Sequence, residues 1–422
     1  MVLALVLFLI MYVILLSKPD VRWITALVFA GIFVVLGILP VNHVIKAVNW
    51  NVILMLTGTM IVVELFIESM MPMRLAELLL KKVSTVQWAV VVLAVFAGVI
   101  SAFVDNVATV LMVAPIGIEV AKKLKVNPVP IIISIAVSSN LQGAATLVGD
   151  TTSILLGGYA NMSFNDFFWF KGRPGICLSV ELGALATLPV LLWIFRRNRQ
   201  PVHQDVETEV NDKVPGLLMI GVIAGLIVAS QFPNKPELTN GYICMAFAFI
   251  GLIYEKIRNG KDYSFKAVLQ AVDYKTLLLL IGLFIVIEGI TEAGVIDAIA
   301  AVFVKIGGHS TFLMYTLIVF VSVIISAFVD NIPYVATMLP VVQGIAASMG
   351  IAPYVLYYGL LIGATLGGNL TPVGASANIA GIGILNKEGY KVSTQDFLKI
   401  GVPFTLTAVV AGYIANWLVW GL

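Results

Sequence analysis

The chain has 422 residues, of which 60% are hydrophobic and 11% charged, with a formal net charge of +2. A soluble fold would have to bury nearly every segment of such a chain, and the scattered Lys and Arg leave no basic groove for nucleic acid. The two cysteines, Cys177 and Cys244, sit in apolar runs and define neither a disulfide framework nor a metal spacing.

Apolar runs near 20 residues recur along the chain, the length a helix needs to cross about 30 Å of hydrocarbon. Taken in order, they predict ten spans, at 2–16, 21–39, 49–70, 129–155, 174–195, 215–231, 240–254, 276–291, 354–380 and 400–420. Residues 2–16 lack the positive start and small-residue cleavage site of a signal peptide, so they read as a first span that stays. Two further apolar segments, 88–120 and 312–345, are each interrupted midway by Asp-Asn. Each is expected to enter and leave on one side as a re-entrant helical hairpin. The fold class is therefore an all-α membrane protein with about ten transmembrane helices and two re-entrant hairpins.

The basic residues test this arrangement. Segments 17–22, 71–86, 122–127, 196–214, 255–275 and 386–399 hold 20 of the 25 Lys and Arg. They fall on one side only if both hairpins return to the side they came from, and the positive-inside rule makes that side cytoplasmic. Both termini then face outward, and the expected location is the cell (inner) membrane. Residues 196–214 form the only long polar stretch and read as a cytoplasmic linker. It joins a first unit, 1–195, to a second, 215–422. The three histidines, His43, His203 and His309, lie in predicted loops and form no ligand cluster.

The two units repeat. Ser101-Ala-Phe-Val-Asp105-Asn106 recurs as Ser326-Ala-Phe-Val-Asp330-Asn331. Residues 143–154 and 368–379 share Gly, Thr, Val, Gly and Ile at one spacing, with Thr146 over Thr371 and Gly149 over Gly374. Trp50, Glu64 and Glu68 are echoed by Tyr274, Glu288 and Glu292. A unit of five crossings is odd, so the second copy is expected upside down. The Gly-, Thr-, Ser- and Asn-rich stretches predict two discontinuous helices, because unwound backbone at membrane depth is tolerated where it lines a cavity.

The candidate site follows from these breaks. Asp105-Asn106 and Asp330-Asn331 fall at the hairpin turns, where an ionisable group is costly without a cavity or partner. Capping of the following helices is the plainer role for the same residues. Asp150 follows Gly149, whereas the second copy has Ala375 there, so the site is asymmetric. Asn140, Thr146, Ser153, Asn369, Thr371, Ser376 and Asn378 supply neutral donors and acceptors. Carboxylate and amide oxygens suit Na⁺, with Asp105, Asn106 and Asp150 as its ligands, and a carboxylate suits H⁺ equally. Helix N-termini after each break favour an anion. Glu64 and Glu288 are assigned to interfacial snorkelling or helix–helix bonding. No cofactor is implied beyond a coupling H⁺ or Na⁺.

These motifs, with Thr146-Leu-Val-Gly-Asp150 and the run from Gly367 through Asn378, resemble the ion transporter superfamily. The closest likeness is to its branch of arsenite permeases and NhaD-type sodium/proton antiporters, over nearly the whole chain. The resemblance implies hairpin tips that face the unwound helices and bind coupling ions beside the substrate. It also implies an elevator-like motion in a homodimer. It departs at Gly149-Asp-Thr-Thr-Ser153, where the family's first break reads Gly-Asp-Pro-Pro-Asn. The expected function is secondary transport of a small inorganic ion such as arsenite or a related oxyanion, driven by a proton or sodium gradient. Na⁺/H⁺ antiport is the alternative, an ion channel the rival from another class, and no enzyme motif is present.

Overall fold

A computed structural model describes residues 1–202, 208–232, 234–260, 265–308 and 310–422. His203, His309 and parts of the linker and of the 255–275 segment lie outside the described residues. The fold is a bundle of apolar helices. Among the described residues the only strands are a pair of two residues each, Trp169–Phe170 and Arg173–Pro174, paired antiparallel. Lys171 and Gly172 make the turn between them, both at positive φ, the backbone that a two-residue hairpin demands.

The repeat in the sequence becomes a repeat in the helices. Trp50–Glu68 and Tyr274–Glu292 each have 19 residues. Val86–Ser101 and Thr311–Ser326 each have 16, and Asn106–Leu124 and Asn331–Met349 each have 19. Their starts repeat as well. Asn49 and Asp273 accept from the backbone N–H three residues on, and Thr85 and Ser310 do the same at the next pair. Such caps satisfy donors that a helix cannot satisfy within itself, each worth about 1 kcal/mol. The 19-residue second arms end alike, on Lys125 and Gly350 in the left-handed conformation.

Among the described residues, five helices are long and apolar enough to cross a membrane by length and composition: Trp50–Glu68, Ile176–Ile194, Tyr274–Glu292, Asn331–Met349 and Thr394–Trp420. The sequence reading expects ten. The difference has a geometric cause. Val2–Ser17, with 16 residues, rises about 24 Å, short of the hydrocarbon thickness unless flanking residues extend it. The 129–155 and 354–380 segments are each split into shorter helices. Asn331–Met349 meets the length criterion although its sequence reads as one arm of a hairpin.

Helices of the two halves interleave. Trp50–Glu68 packs along Thr239–Asn259, and Tyr274–Glu292 packs along Arg22–Val35. Gly58 and Gly282 mark these crossings. A Cβ on Gly58 would lie 2.4 Å from the Cys244 carbonyl carbon, and one on Gly282 would lie 2.6 Å from that of Ala26. Close backbone approach through small residues is how helices associate without a hydrophobic driving force. At the centre, Val129–Gly143 is buried at every residue but Pro130.

Contacts among the loops tie several of the basic segments together in pairs. Val86 N–H donates to Gln200 O at 3.1 Å and Val202 N–H to Ser84 O at 3.0 Å. Arg258 pairs with Asp212 at 2.8 Å, and Lys122 with Glu388. These contacts pair 71–86 with 196–214, 196–214 with 255–275, and 122–127 with 386–399. Elsewhere His43 meets Glu292 at 2.5 Å, and Arg173 donates to Val419 O at 2.8 Å.

Candidate functional site

Both discontinuous helices break where the Gly- and Thr-rich stretches lie. The first runs to Gly143 and restarts at Thr151. The second passes through a π-helical turn, Ile362–Leu366, and a short 3₁₀ turn before Ser376–Lys387. The residues preceding each restart adopt nearly one conformation, Asp150 at φ −140°, ψ 150° and Ala375 at φ −140°, ψ 143°.

Each break is tied by the same bonds to the Ser-Ala-Phe-Val-Asp-Asn turn of its own half. Thr146 Oγ1 donates to Ala102 O, and Thr371 Oγ1 to Ala327 O. Gly149 packs against the carbonyls of Gly143, Ser101 and Ala102, and Gly374 against those of Gly368, Ser326 and Ala327. Ser153 Oγ donates to Gly143 O at 3.5 Å, while Asn378 Nδ2 donates to Gly368 O at 3.1 Å and Thr371 O at 3.2 Å. Thr146, Ser153, Thr371 and Asn378 therefore serve freed backbone carbonyls, which a buried break must satisfy.

A buried network joins the halves. Asn106 Nδ2 donates to Asn140 Oδ1 at 2.9 Å. Asn140 Nδ2 donates to Thr365 O at 2.7 Å and to Asn369 Oδ1 at 3.1 Å. Asn369 Nδ2 donates back to Val137 O at 2.9 Å. Thr152 Oγ1 donates to Asp150 Oδ2 at 2.8 Å and so accepts from Thr365 Oγ1 at 2.9 Å.

Beside this network lies a cavity of about 260 Å³. Of the sequence-predicted site residues, Asp105, Asn106, Gly149, Asp150, Asn331 and Ser376 line it. Asn140, Thr146, Ser153, Asp330, Asn369, Thr371, Gly374 and Asn378 do not, and they hold the walls instead. Both Asp-Asn motifs thus reach one cavity. Asp105 Oδ2 also caps its helix, accepting from Val107 N at 2.9 Å and Ala108 N at 3.2 Å. Asp330 caps through Oδ1, from Ile332 N at 3.1 Å, and its Oδ2 takes Arg22 Nη1 at 3.0 Å and Ser376 Oγ at 3.3 Å.

Two cavity carboxylates were not assigned a site role from sequence. Glu64, read as a helix-surface residue, lines it, and so does Asp273, a helix cap. Arg22, read as one of the basic loop residues, reaches Asp330. A signal for Glu64 was available, since an ionisable group inside an apolar helix is a functional candidate by default. Asp273 and Arg22 sit at helix starts, where a cap or an interfacial anchor explains them without a site. Among the described residues no group of three or more His, Cys, Asp or Glu is arranged to hold a metal ion, and no Lys or Arg lines the cavity.

Apolar helices, two broken beside a shared cavity that carboxylates line, define a multi-pass membrane transporter. The solved YdaH transporter of Alcanivorax borkumensis has this fold, with a TM-score of 0.62 at 14% identity over 90% of this chain and 87% of that one. Residues 10–363 match the citrate transporter family, and the chain belongs to that family. It is 31% identical to a 46 kDa membrane protein of Mycobacterium leprae, over 99% of this chain and 98% of that protein. An uncharacterized transporter of Mycobacterium tuberculosis is 30% identical, over 99% of this chain and 98% of its own length.

Proposed function

We propose that this chain is a secondary carrier of a small ion or oxyacid, driven by a proton or sodium gradient through alternating access. The observation that carries the reading is the cavity. Glu64, Asp105, Asp150 and Asp273 line it with no basic residue among the described ones. Carboxylates that share one cavity repel, most strongly where one of them is buried as Asp150 is, and a bound H⁺ or Na⁺ relieves the repulsion. The coupling site is therefore Asp105 with Asp150, and the Na⁺ ligands in that case are Asp105, Asn106 and Asp150. The two halves form inverted repeats, 1–195 and 215–422, joined by 196–214. Paired broken helices at matching positions are the feature that favours a carrier over a channel.

The cargo of this proposal is arsenite or a related oxyacid, which the likeness of the chain's motifs to those of arsenite permeases suggests. An acid-lined cavity suits a neutral oxyacid, or an anion that enters together with cations, better than an anion alone. The same lining favours a second reading, Na⁺/H⁺ antiport. The side of opening also belongs to the proposal. Glu64 and Ile67 end one helix and Asp273 and Thr276 begin another, both adjoining basic segments assigned to the cytoplasm, so the cavity faces inward in the inner membrane. The carrier works as a homodimer, which cross-linking in the membrane tests.

The experiment is uptake into proteoliposomes of arsenite, citrate and Na⁺ in parallel, under imposed pH and Na⁺ gradients. Asp150→Asn should abolish gradient-driven accumulation and leave exchange at equal concentrations. Wild-type protein that dissipates gradients without accumulating any cargo or exchanging Na⁺ for H⁺ would refute the carrier reading.

A further inference from the structure

The two hairpin tips carry the same Asp-Asn pair but opposite charge surroundings. At the first tip, Asp105 and Asp150 line one cavity, and neither has an ion-pair partner among the described residues. At the second, Ala375 replaces the Asp150 equivalent, and Asp330 is paired with Arg22 at 3.0 Å. The first tip thus holds two carboxylates without a cation, and the second one carboxylate with one cation.

The second arrangement is built rather than incidental. Arg22 Nε donates to Leu15 O at 3.1 Å, which holds the guanidinium while Nη1 meets Asp330 Oδ2. The two side chains are 21% and 11% exposed. Tyr12, on the preceding helix, donates to Pro333 O at 2.7 Å and meets Thr337, so the same corner grips the hairpin arm beyond the tip. An arginine stays charged at every relevant pH.

The repeat itself shows that Arg22 belongs to one half alone. The peptide Ala26–Leu27 lies on Gly282 as Cys244–Met245 lies on Gly58. That register sets Arg22 against Asn240 in the second half. Asn240 is neutral and buried, and its Oδ1 accepts from Lys235 Nζ at 3.1 Å. The duplicated unit therefore carries Arg at this position once.

We propose that Arg22 is a tethered cation that holds, at Asp330, the place a mobile H⁺ or Na⁺ takes at Asp105 and Asp150, so that the first-half site alone is open to coupling ions in this conformation. This rests on the coupled-carrier reading and adds to it a count of coupling sites and the residue that sets the count. A buried carboxylate demands a positive partner or a proton. Arg22→Gln removes the partner and leaves Asp330 in place, so the freed carboxylate should recruit a cation from solution.

The test counts bound cations on the purified full-length protein in detergent. ²²Na⁺ is the probe at saturation at pH 8.5. Proton uptake on titration from pH 8.5 to 5.5 is the second count. Arg22→Gln should gain one cation over wild type in one of the two counts. Arg22→Gln combined with Asp330→Asn should return to the wild-type number, and this double variant, with no unpaired charge, remains informative if the single one does not fold. Arg22→Lys should keep the wild-type number. No gain in a folded Arg22→Gln protein, or a double variant whose count exceeds wild type, would overturn the proposal. Wild-type protein that binds no Na⁺ and takes up no proton at Asp105 or Asp150, judged against Asp150→Asn, would instead overturn the carrier reading beneath it.

Discussion

Replacing Gly149 by Ala tests the idea that each break is clamped to its hairpin tip through backbone. A Cβ at that position would lie 2.6 Å from Gly143 O, 2.6 Å from Ser101 O and 2.7 Å from Ala102 O. These are about 0.8 Å short of ordinary van der Waals contact at 3.4 Å. All three neighbours are carbonyl oxygens, which cannot rotate away as a side chain does. Moving the Ala102 carbonyl also strains the bond it accepts from Thr146. Overpacking of this kind costs about 1–3 kcal/mol, and backbone neighbours place the change at the upper end, about 3 kcal/mol. Gly374→Ala meets Gly368 O at 2.5 Å and Ser326 and Ala327 O at 2.8 Å, so the two variants should behave alike. Gly383→Ala is the control. Nothing lies within 4 Å of its Cβ, and a helical Gly→Ala change without a clash gains about 0.5–1 kcal/mol. Equilibrium unfolding in detergent micelles reads all three. Gly149→Ala and Gly374→Ala proteins as stable as Gly383→Ala would refute the clamp.

Asn140→Ala should destabilise the protein by about 3 kcal/mol, because it leaves the buried Asn106 Nδ2, Thr365 O and Asn369 Oδ1 short of a partner. The same unfolding assay checks it, and a loss under about 1 kcal/mol would mean water takes over the bonds. Gly158→Ala should be damaging where Gly383→Ala, its repeat mate, is not, since its Cβ would lie 2.5 Å from Val52 Cγ2 and 2.9 Å from Asn49 Nδ2. Equal stability of the two would show that the breaks do not differ in their neighbours. Cysteines at Gln200 and Asn259 should both label from the cytoplasmic side of intact cells, and labelling from opposite sides would overturn the topology.

The sequence alone determined the chain's relation to membrane and its internal repeat. Run length and the scarcity of charge decide the first, because hydrocarbon admits only long apolar helices. Ser-Ala-Phe-Val-Asp-Asn, twice, and the paired Gly/Thr stretches decide the second. It also located both breaks, since Gly and Thr within an apolar run have a local meaning. Asp105 and Asp150 could be nominated for the same reason.

Tertiary structure alone decided which of these residues face a cavity and which hold its walls. Thr146 and Ser153 carry the same donors as residues that line a site, and only folding reveals that their hydrogen bonds go to backbone carbonyls. The Asn140–Asn369 bond spans the two halves, and no local pattern pairs residues so far apart in the chain. Glu64 and Asp273 become cavity carboxylates because the helices that bear them meet there. The partner of Asp330 was the least legible. Arg22 is separated from it by most of the chain, and an arginine opening a helix reads locally as an anchor. Charge pairing is a property of the folded neighbourhood, so two identical tips acquire different partners only when the helices around them are in place.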